Sequence, residues 1–165
     1  MFNFLKKLKR KDRGMALLEI IIGASVITVG ILAVVTSYNL YFQYALANES
    51  NAQAGYLLEE GLEVVSFMRD GSWSENIATL ATSTDYYLSF VGSSWATTTE
   101  PQYVDGRFLR SFVMSDVYRD INDDISSSGA IDPNTKEVTV NVSFLQGHST
   151  TTKSISTYIT NIYDN

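Results

Sequence analysis

The chain has 165 residues, a net charge of −6 at neutral pH and no cysteine. This length allows one modest domain plus an anchor, and the lack of cysteine excludes a disulfide-stapled exported domain. An acidic exterior repels phosphate backbones, so the composition also argues against direct binding of nucleic acid.

The N-terminal segment divides into a basic part and an apolar part. Residues 1–14 contain six Lys or Arg residues and one acid, whereas residues 15–35 are apolar or small apart from Glu19. About 20 apolar residues in a helix can cross a bilayer, and a basic flank stays on the cytoplasmic side. The sequence therefore predicts a single membrane span, with the N-terminus in the cytoplasm and the portion after residue 35 on the outer side. Since residues 1–14 carry +5, the remainder carries −11.

Glu19 is the one charged residue inside the apolar segment. A carboxylate in a membrane span is costly and commonly marks a function that needs a partner group. Alternatively, Glu19 lies only one turn inside the basic boundary and reaches the lipid headgroups. Its position alone leaves both interpretations open.

The basic run, Gly14, Met15 and Glu19 together resemble the prepilin signal of type IV pilins and type II secretion pseudopilins. That signal is a short basic leader ending in Gly, a cleavage site, and an apolar helix whose fifth residue is Glu. The resemblance implies that a prepilin peptidase cleaves between Gly14 and Met15 and that the new amine of Met15 is N-methylated. It also implies that Glu19 pairs with such an amine, on its own chain or on a neighbour.

The resemblance further implies a structural subunit and not an enzyme. Such a subunit joins other pilin or pseudopilin subunits at an inner-membrane assembly platform and becomes part of an extracytoplasmic or cell-surface filament. Two positions depart from the family pattern, because Met15 replaces the usual Phe and Thr36 stands where many members have a helix-kinking Pro. Small residues of the span would let neighbouring helices approach closely: Gly23, Ala24, Thr28 and Gly30.

The helical pattern continues past the span. Aromatic residues between Tyr38 and Tyr44 are typical of a membrane interface and argue against a Sec signal peptide cleaved near Ala47. There is no Pro before the stop signal at residues 69–71, which predicts a helix of about 55 residues, about 80 Å long. An apolar stripe on this helix is expected to face the rest of the chain: Phe42, Leu46, Leu57, Val64 and Met68. We interpret Glu59, Glu60 and Glu63 as a solvated helix face.

After residue 71 the sequence becomes rich in Ser, Thr, Tyr and Gly, and its apolar pattern changes to period two. It predicts strands at 85–91, 108–118, 138–144 and 153–163, the second of them with apolar residues on both faces, so that both could be buried. Residues 132–135 are predicted to form a turn, and residues 146–149 a turn that makes the last two strands an antiparallel hairpin.

The expected fold class is α+β, with an antiparallel sheet packed on the second half of a long helix, which is the layout of pilin headgroups. The corresponding segments are a leader at 1–14, a span at 15–36, an amphipathic helix at 37–70 and a headgroup at 71–165.

The sequence offers little material for catalysis or metal binding. His148 is the single histidine and lies in the turn at 146–149, so neither a nucleophile–base arrangement nor a His/Cys metal site is supported. Asp120, Asn122 and Asp124 have the spacing that opens an EF-hand loop, but Ile125 stands where that loop needs Gly. We therefore expect no cofactor and keep calcium at these three residues as an alternative. The competing function is a membrane-tethered binding module that does not polymerise, whereas a membrane-anchored enzyme is disfavoured because the sequence offers no nucleophile–base or metal constellation.

Overall fold

The computed structural model describes residues 5–147 and 149–163, with side chains from Met15 onward. The chain divides into two compact units, Met1–Ala47 and Asn48–Asn165. Helix α1 runs over Leu5–Gly71 and contributes to both units. A short helix, α2 at Trp73–Asn76, follows it.

Seven strands, all antiparallel to their neighbours, form one sheet in the second unit. Five of them make the path β2-β1-β4-β6-β7, and the two-residue strands β3 and β5 pair with β4 beside this path. The strand bounds are β1 Tyr86–Val91, β2 Ser94–Thr98, β3 Tyr103–Val104, β4 Phe108–Arg119, β5 Ile125–Ser126, β6 Ala130–Gln146 and β7 Ser149–Thr160. The α+β class, with an antiparallel sheet packed on the helix, is as predicted.

The core of the second unit lies between one face of the sheet and the part of α1 after Asn48. The sheet supplies alternating residues of its long strands, such as Phe112 and Val140, which are completely buried. The helix supplies Ala54, Leu58, Gly61, Val64, Val65 and Met68. Apart from the adjacent Val64 and Val65, these residues follow one another at intervals of three or four, so they form one stripe of the helix.

The apolar stripe predicted from the sequence is therefore only partly correct. Val64 and Met68 are buried and Leu57 packs at the edge of the core, but Leu58 lies deeper than Leu57. Phe42 and Leu46 are more than half exposed. The pattern was ambiguous because Leu57 and Leu58 are adjacent apolar residues, and only the contacts with the sheet select between them.

The end of α1 is held by two groups that follow it. The backbone N–H of Ser72 and the side-chain Nδ2 of Asn76 both donate to the carbonyl of Met68, at 3.2 and 2.9 Å. The Ser72 hydroxyl accepts a hydrogen bond from the Glu75 N–H and so caps α2. This arrangement turns the chain back and buries Trp73 and Ile77 in the core.

Strand β4 has one buried face, although the apolar residues on both of its faces would have allowed both to be buried. Phe108, Phe112 and Met114 point into the core, while Leu109 and Val113 are only half-buried on the other side. A register shift between Asp116 and Val117 changes the inward-facing parity, so that Val117 is again buried.

The turn predicted at residues 132–135 is instead an irregularity within β6. In the register with β4, Asp116 pairs with Lys136, whereas Val117 pairs with Asp132. The three residues in between bulge because Pro133 cannot donate to the ladder and the Asp132 carboxylate accepts the Asn134 N–H at 2.9 Å. The polar residues that suggested a turn therefore bend the strand without ending it.

The predicted hairpin of the last two strands is confirmed. Gln146 pairs with Ser149, which leaves a two-residue turn, and Gly147 adopts a positive φ of 65° as such turns require. His148, the other turn residue, lies outside the described residues.

Candidate functional site

The apolar part of α1 after Met15 is fully exposed in the first unit. Every side chain from residue 15 to residue 46 is exposed, including Glu19. Within the described residues, α1 from Met15 is the one helix that is long and apolar enough to cross a membrane, with a mean hydropathy of 2.5 in its most apolar window. The segment is therefore a candidate single-pass anchor near the N-terminus.

Three hydroxyl groups in this segment are bonded to the helix itself. The side chains of Ser25, Thr28 and Thr36 donate to the carbonyls of Ile22, Ala24 and Leu32, at 2.8 to 2.9 Å. A hydroxyl that bonds to its own helix leaves no donor to be satisfied by lipid. The Thr36 bond also lies at the position where many pilins have Pro, and α1 is helical there.

The predicted packing residues do not all lie on the same side of the helix. At about 100° per residue, Gly23 and Gly30 fall within about 40° of Glu19, whereas Ala24 and Thr28 fall about 140° to 180° away. A Cβ built at Gly23 or Gly30 meets no atom within 4 Å. The predicted set therefore separates into a face that contains Glu19 and an opposite face.

The predicted cleavage site involves Gly14 and Met15. Both lie within the helical range of α1, Met15 is 71% exposed, and the side chains of the leader before it lie outside the described residues. Cleavage, N-methylation and the pairing of Glu19 with a Met15 amine therefore stay predictions.

The strongest electrostatic feature of the second unit is a buried cation that the sequence analysis missed. Arg110 lies on the inward face of β4 and is 3% exposed. Its Nη1 donates to Oε2 of Glu60 on α1 at 2.5 Å, and its guanidinium lies 5.5 Å from the centre of the Trp95 ring. Its Nε has no hydrogen-bond partner among the described residues.

The interpretation of Glu60 as part of a solvated helix face is therefore wrong. The prediction of a solvated face holds for Glu59 and Glu63, which are exposed, but Glu60 is the counter-ion of Arg110. A guanidinium buried without a counter-ion is strongly unfavourable, so Glu60 has a structural role. The signal in the sequence was the alternation of β4, which places Arg110 at the same parity as Phe108 and Phe112.

A second ion pair organises the loop after β4. Nε of Arg119 donates to Oδ2 of Asp132 at 2.6 Å, and Nη1 of Arg119 donates to the carbonyl of Asp123 at 2.7 Å. The hydrogen bond from Arg119 is the main cause that holds the pKa of Asp132 below its usual value. The same bond raises the pKa of Arg119. Asp132 thus acts as a partner of Arg119 and remains ionised.

The weak calcium candidates lie in this loop. Oδ1 of Asp120 accepts the backbone N–H groups of Asn122 and Asp124, at 2.8 and 3.0 Å. That pattern is a local turn closed by an aspartate, as expected for a capping residue. Among the described residues there is no group of three or more acidic, His or Cys side chains arranged to hold a metal ion.

Comparisons with known proteins find no matching family model, no matching curated protein and no matching solved structure.

Proposed function

We propose that the protein is a pilin-like structural subunit, that is, a pilin, minor pilin or pseudopilin. It is stored in the inner membrane by the apolar part of α1, processed by a prepilin peptidase, and assembled with other subunits into a type IV pilus or a type II secretion-type filament. The observation that carries the proposal is the order of basic leader, Gly14, Met15 and Glu19 at the start of an apolar helix. The sheet packed on the second half of that helix is the layout that such a subunit requires.

The chemistry of the N-terminus explains why Glu19 would be needed. Cleavage after Gly14 leaves a positive amine on Met15 in apolar surroundings, and a buried charge requires a counter-ion. Glu19 follows Met15 by four residues, about one helical turn. The same carboxylate can reach the amine of a neighbouring subunit, so that only correctly registered helices neutralise both charges.

The faces of the helix support contacts with several neighbours. Gly23 and Gly30 accompany Glu19 on one side, so a neighbouring helix can approach closely beside the charge pair. Ala24 and Thr28 offer a second small-residue surface on the opposite side, and the Thr28 hydroxyl is already bonded to the Ala24 carbonyl. Two opposed contact surfaces on each helix are what a continuous helical filament core needs.

The proposal is tested by separating processing from assembly. We expect Glu19→Ala to be cleaved as well as the wild type but to reach filaments at a level lower by more than about tenfold, since an unpaired buried amine costs well over 1.4 kcal/mol. Glu49→Ala, which removes an exposed carboxylate outside the apolar segment, is the matched control and should assemble normally. Normal filament yield from Glu19→Ala would refute the assembly role.

The competing function is a membrane-tethered binding module that does not polymerise. Such a module would tolerate the loss of Glu19 and would keep residues 1–14. The processing state therefore separates the two functions directly.

A further inference from the structure

The longer free edge of the sheet path is formed by β7. Among the described strands, β7 pairs with β6 alone, and its 12 residues form the end of the path β2-β1-β4-β6-β7. The opposite edge, β2, has five residues and is followed by Glu100 and Pro101, which are features that discourage further pairing. β7 contains no proline, pairs with β6 without a register shift, and has Lys153 as its one charged residue.

The charge of β7 differs from that of the rest of the chain. The chain without its leader carries −11, yet there is no acid between Ser149 and Thr160. Two copies of β7 can therefore approach each other without the repulsion that other parts of the surface would cause.

The exposure along β7 shows that its inward face is incompletely covered. Ile155 pairs with Val140, so both side chains lie on the side of the sheet that faces the helix. Val140 is completely buried, whereas Ile155 is 37% exposed. An apolar side chain next to a free edge would be covered by a further strand added beside it.

We propose that β7 is a homotypic contact, at which two copies of this chain pair edge to edge as antiparallel strands related by a two-fold axis. A two-fold axis perpendicular to the sheet keeps the helix-facing sides of both copies on one side of the joined sheet. Opposite residues must then face the same side, so the residue at the axis pairs with the same residue of the other copy. The structure assigns this position to Ile155. Each Ile155 then covers the other, while Lys153 lies opposite Thr157 and not opposite a second Lys153.

The hydrogen-bonding pattern of β7 agrees with this register. A two-residue turn closes with a hydrogen-bonded pair, here Gln146 with Ser149, and such pairs alternate along the ladder. The alternation directs the backbone groups of Ser154 and Ser156 toward the free edge. With Ile155 on the axis, Ser154 of one copy exchanges hydrogen bonds with Ser156 of the other. The two Ile155 residues form a pair without such bonds, in which side chains come closest.

This contact differs from those that would build a filament. A two-fold contact joins two chains and does not propagate by itself, so it would link two subunits in the membrane or in adjacent filaments. It rests on the geometry of β7 and would stand even if the leader were never cleaved.

Because the chain has no cysteine, single-cysteine cross-linking of the full-length protein in detergent is an unambiguous test. On mild oxidation we expect Ile155→Cys to give a disulfide-linked dimer at more than about five times the yield of Lys153→Cys, because two copies of residue 153 would lie about 13 Å apart. Thr157→Cys alone should also fail. Coexpressed Lys153→Cys and Thr157→Cys chains should cross-link to each other, because the proposed register pairs them.

Two cross-linking outcomes would overturn the proposal. One is an Ile155→Cys yield no higher than that of Lys153→Cys alone, and the other is a coexpressed pair that cross-links no better than either member. The second measurement is the molar mass by light scattering. The wild type should be a dimer, whereas Ile155→Lys should be a monomer because it places two ammonium groups opposite each other. Asn141→Lys, one strand further from the edge, should remain a dimer. A wild-type protein that is monomeric at all concentrations would equally contradict the contact.

Discussion

Glu60 and Arg110 join α1 to β4 through a 2.5 Å ion pair whose cationic side is buried and whose anionic side is 45% exposed. The pair crosses the interface between helix and sheet, fifty residues apart in the chain. It fixes one turn of α1 over one residue of β4, which a purely apolar interface would specify less sharply. A buried ion pair adds little net stability, but its interruption is costly because one charge is left behind.

The first prediction follows from this asymmetry. Glu60→Ala should lower the free energy of unfolding of the second unit by about 2 kcal/mol, at the lower end for a broken buried pair because Glu60 is partly solvated. Both tryptophans, Trp73 and Trp95, lie in that unit, so denaturation followed by tryptophan fluorescence reports on it. Glu59→Ala, which removes an exposed neighbour, should change the free energy by less than about 0.5 kcal/mol. An equal loss in both variants would contradict the role of the pair.

The second prediction concerns a close approach of the helix to the sheet at Gly61. A Cβ built at Gly61 would lie 2.7 Å from Cγ1 of Val140, which is completely buried. Gly61→Ala should therefore destabilise the unit by about 1–3 kcal/mol through overpacking. At Gly55, where nothing lies within 4 Å, the same substitution should stabilise the helix by up to about 1 kcal/mol. Opposite signs for the two glycines are expected in the same fluorescence experiment, and a stabilising Gly61→Ala would show that the contact is looser.

The third prediction concerns acid. Because Arg119 holds the pKa of Asp132 below its usual 3.8, ionised Asp132 stabilises the folded state above that value. The stabilisation is lost as the pH falls from 3.8 through the lower pKa of the folded state. Asp132→Asn should therefore be less stable than the wild type at pH 7, and the difference should shrink below pH 3.8. Asp123→Asn, an exposed carboxylate near the same Arg119, should show a smaller difference at pH 7. A constant gap between wild type and Asp132→Asn from pH 7 to pH 2 would contradict the coupling.

The features that the sequence predicted well are those set by residues that are close together in the chain. The absence of Pro up to Gly71 and the stop signal there predicted the end of α1, and the flanks of Gly147 predicted the last hairpin. Both depend on residues close together in the chain, so no knowledge of distant partners was needed.

The features that the sequence did not predict depend on distant partners or lie where apolar and polar residues hardly alternate. Glu60 looks like its neighbours Glu59 and Glu63 until Arg110 is placed beside it. Strand β2 is a run of small polar residues around Trp95 and gives almost no apolar alternation. The residues Asp132, Pro133 and Asn134 favour a turn locally, but β6 continues because it pairs with β4 on both sides of the bend.

All of the candidate assembly features were predicted from the sequence alone. Leader, cleavage site and Glu19 form a contiguous pattern, and the structure adds the separation of the small residues into two helix faces.

The fourth prediction follows from the separation of the small residues into two helix faces. Gly30→Leu, on the face of Glu19, should reduce incorporation into filaments because it prevents close approach of a neighbouring helix. Leu32→Ile, which keeps the side-chain volume unchanged at a residue that is already large, should not, and unchanged incorporation of Gly30→Leu would place the contact elsewhere.

The most direct test of the central claim is the intact mass of the protein after coexpression with a prepilin peptidase. A filament subunit is expected to begin at Met15, to lack residues 1–14, and to carry one additional methyl group on its N-terminal amine. A chain that retains Met1 under conditions in which a known prepilin is fully cleaved would contradict the account. The protein would then be an anchored domain, and Glu19 a carboxylate that reaches the lipid headgroups.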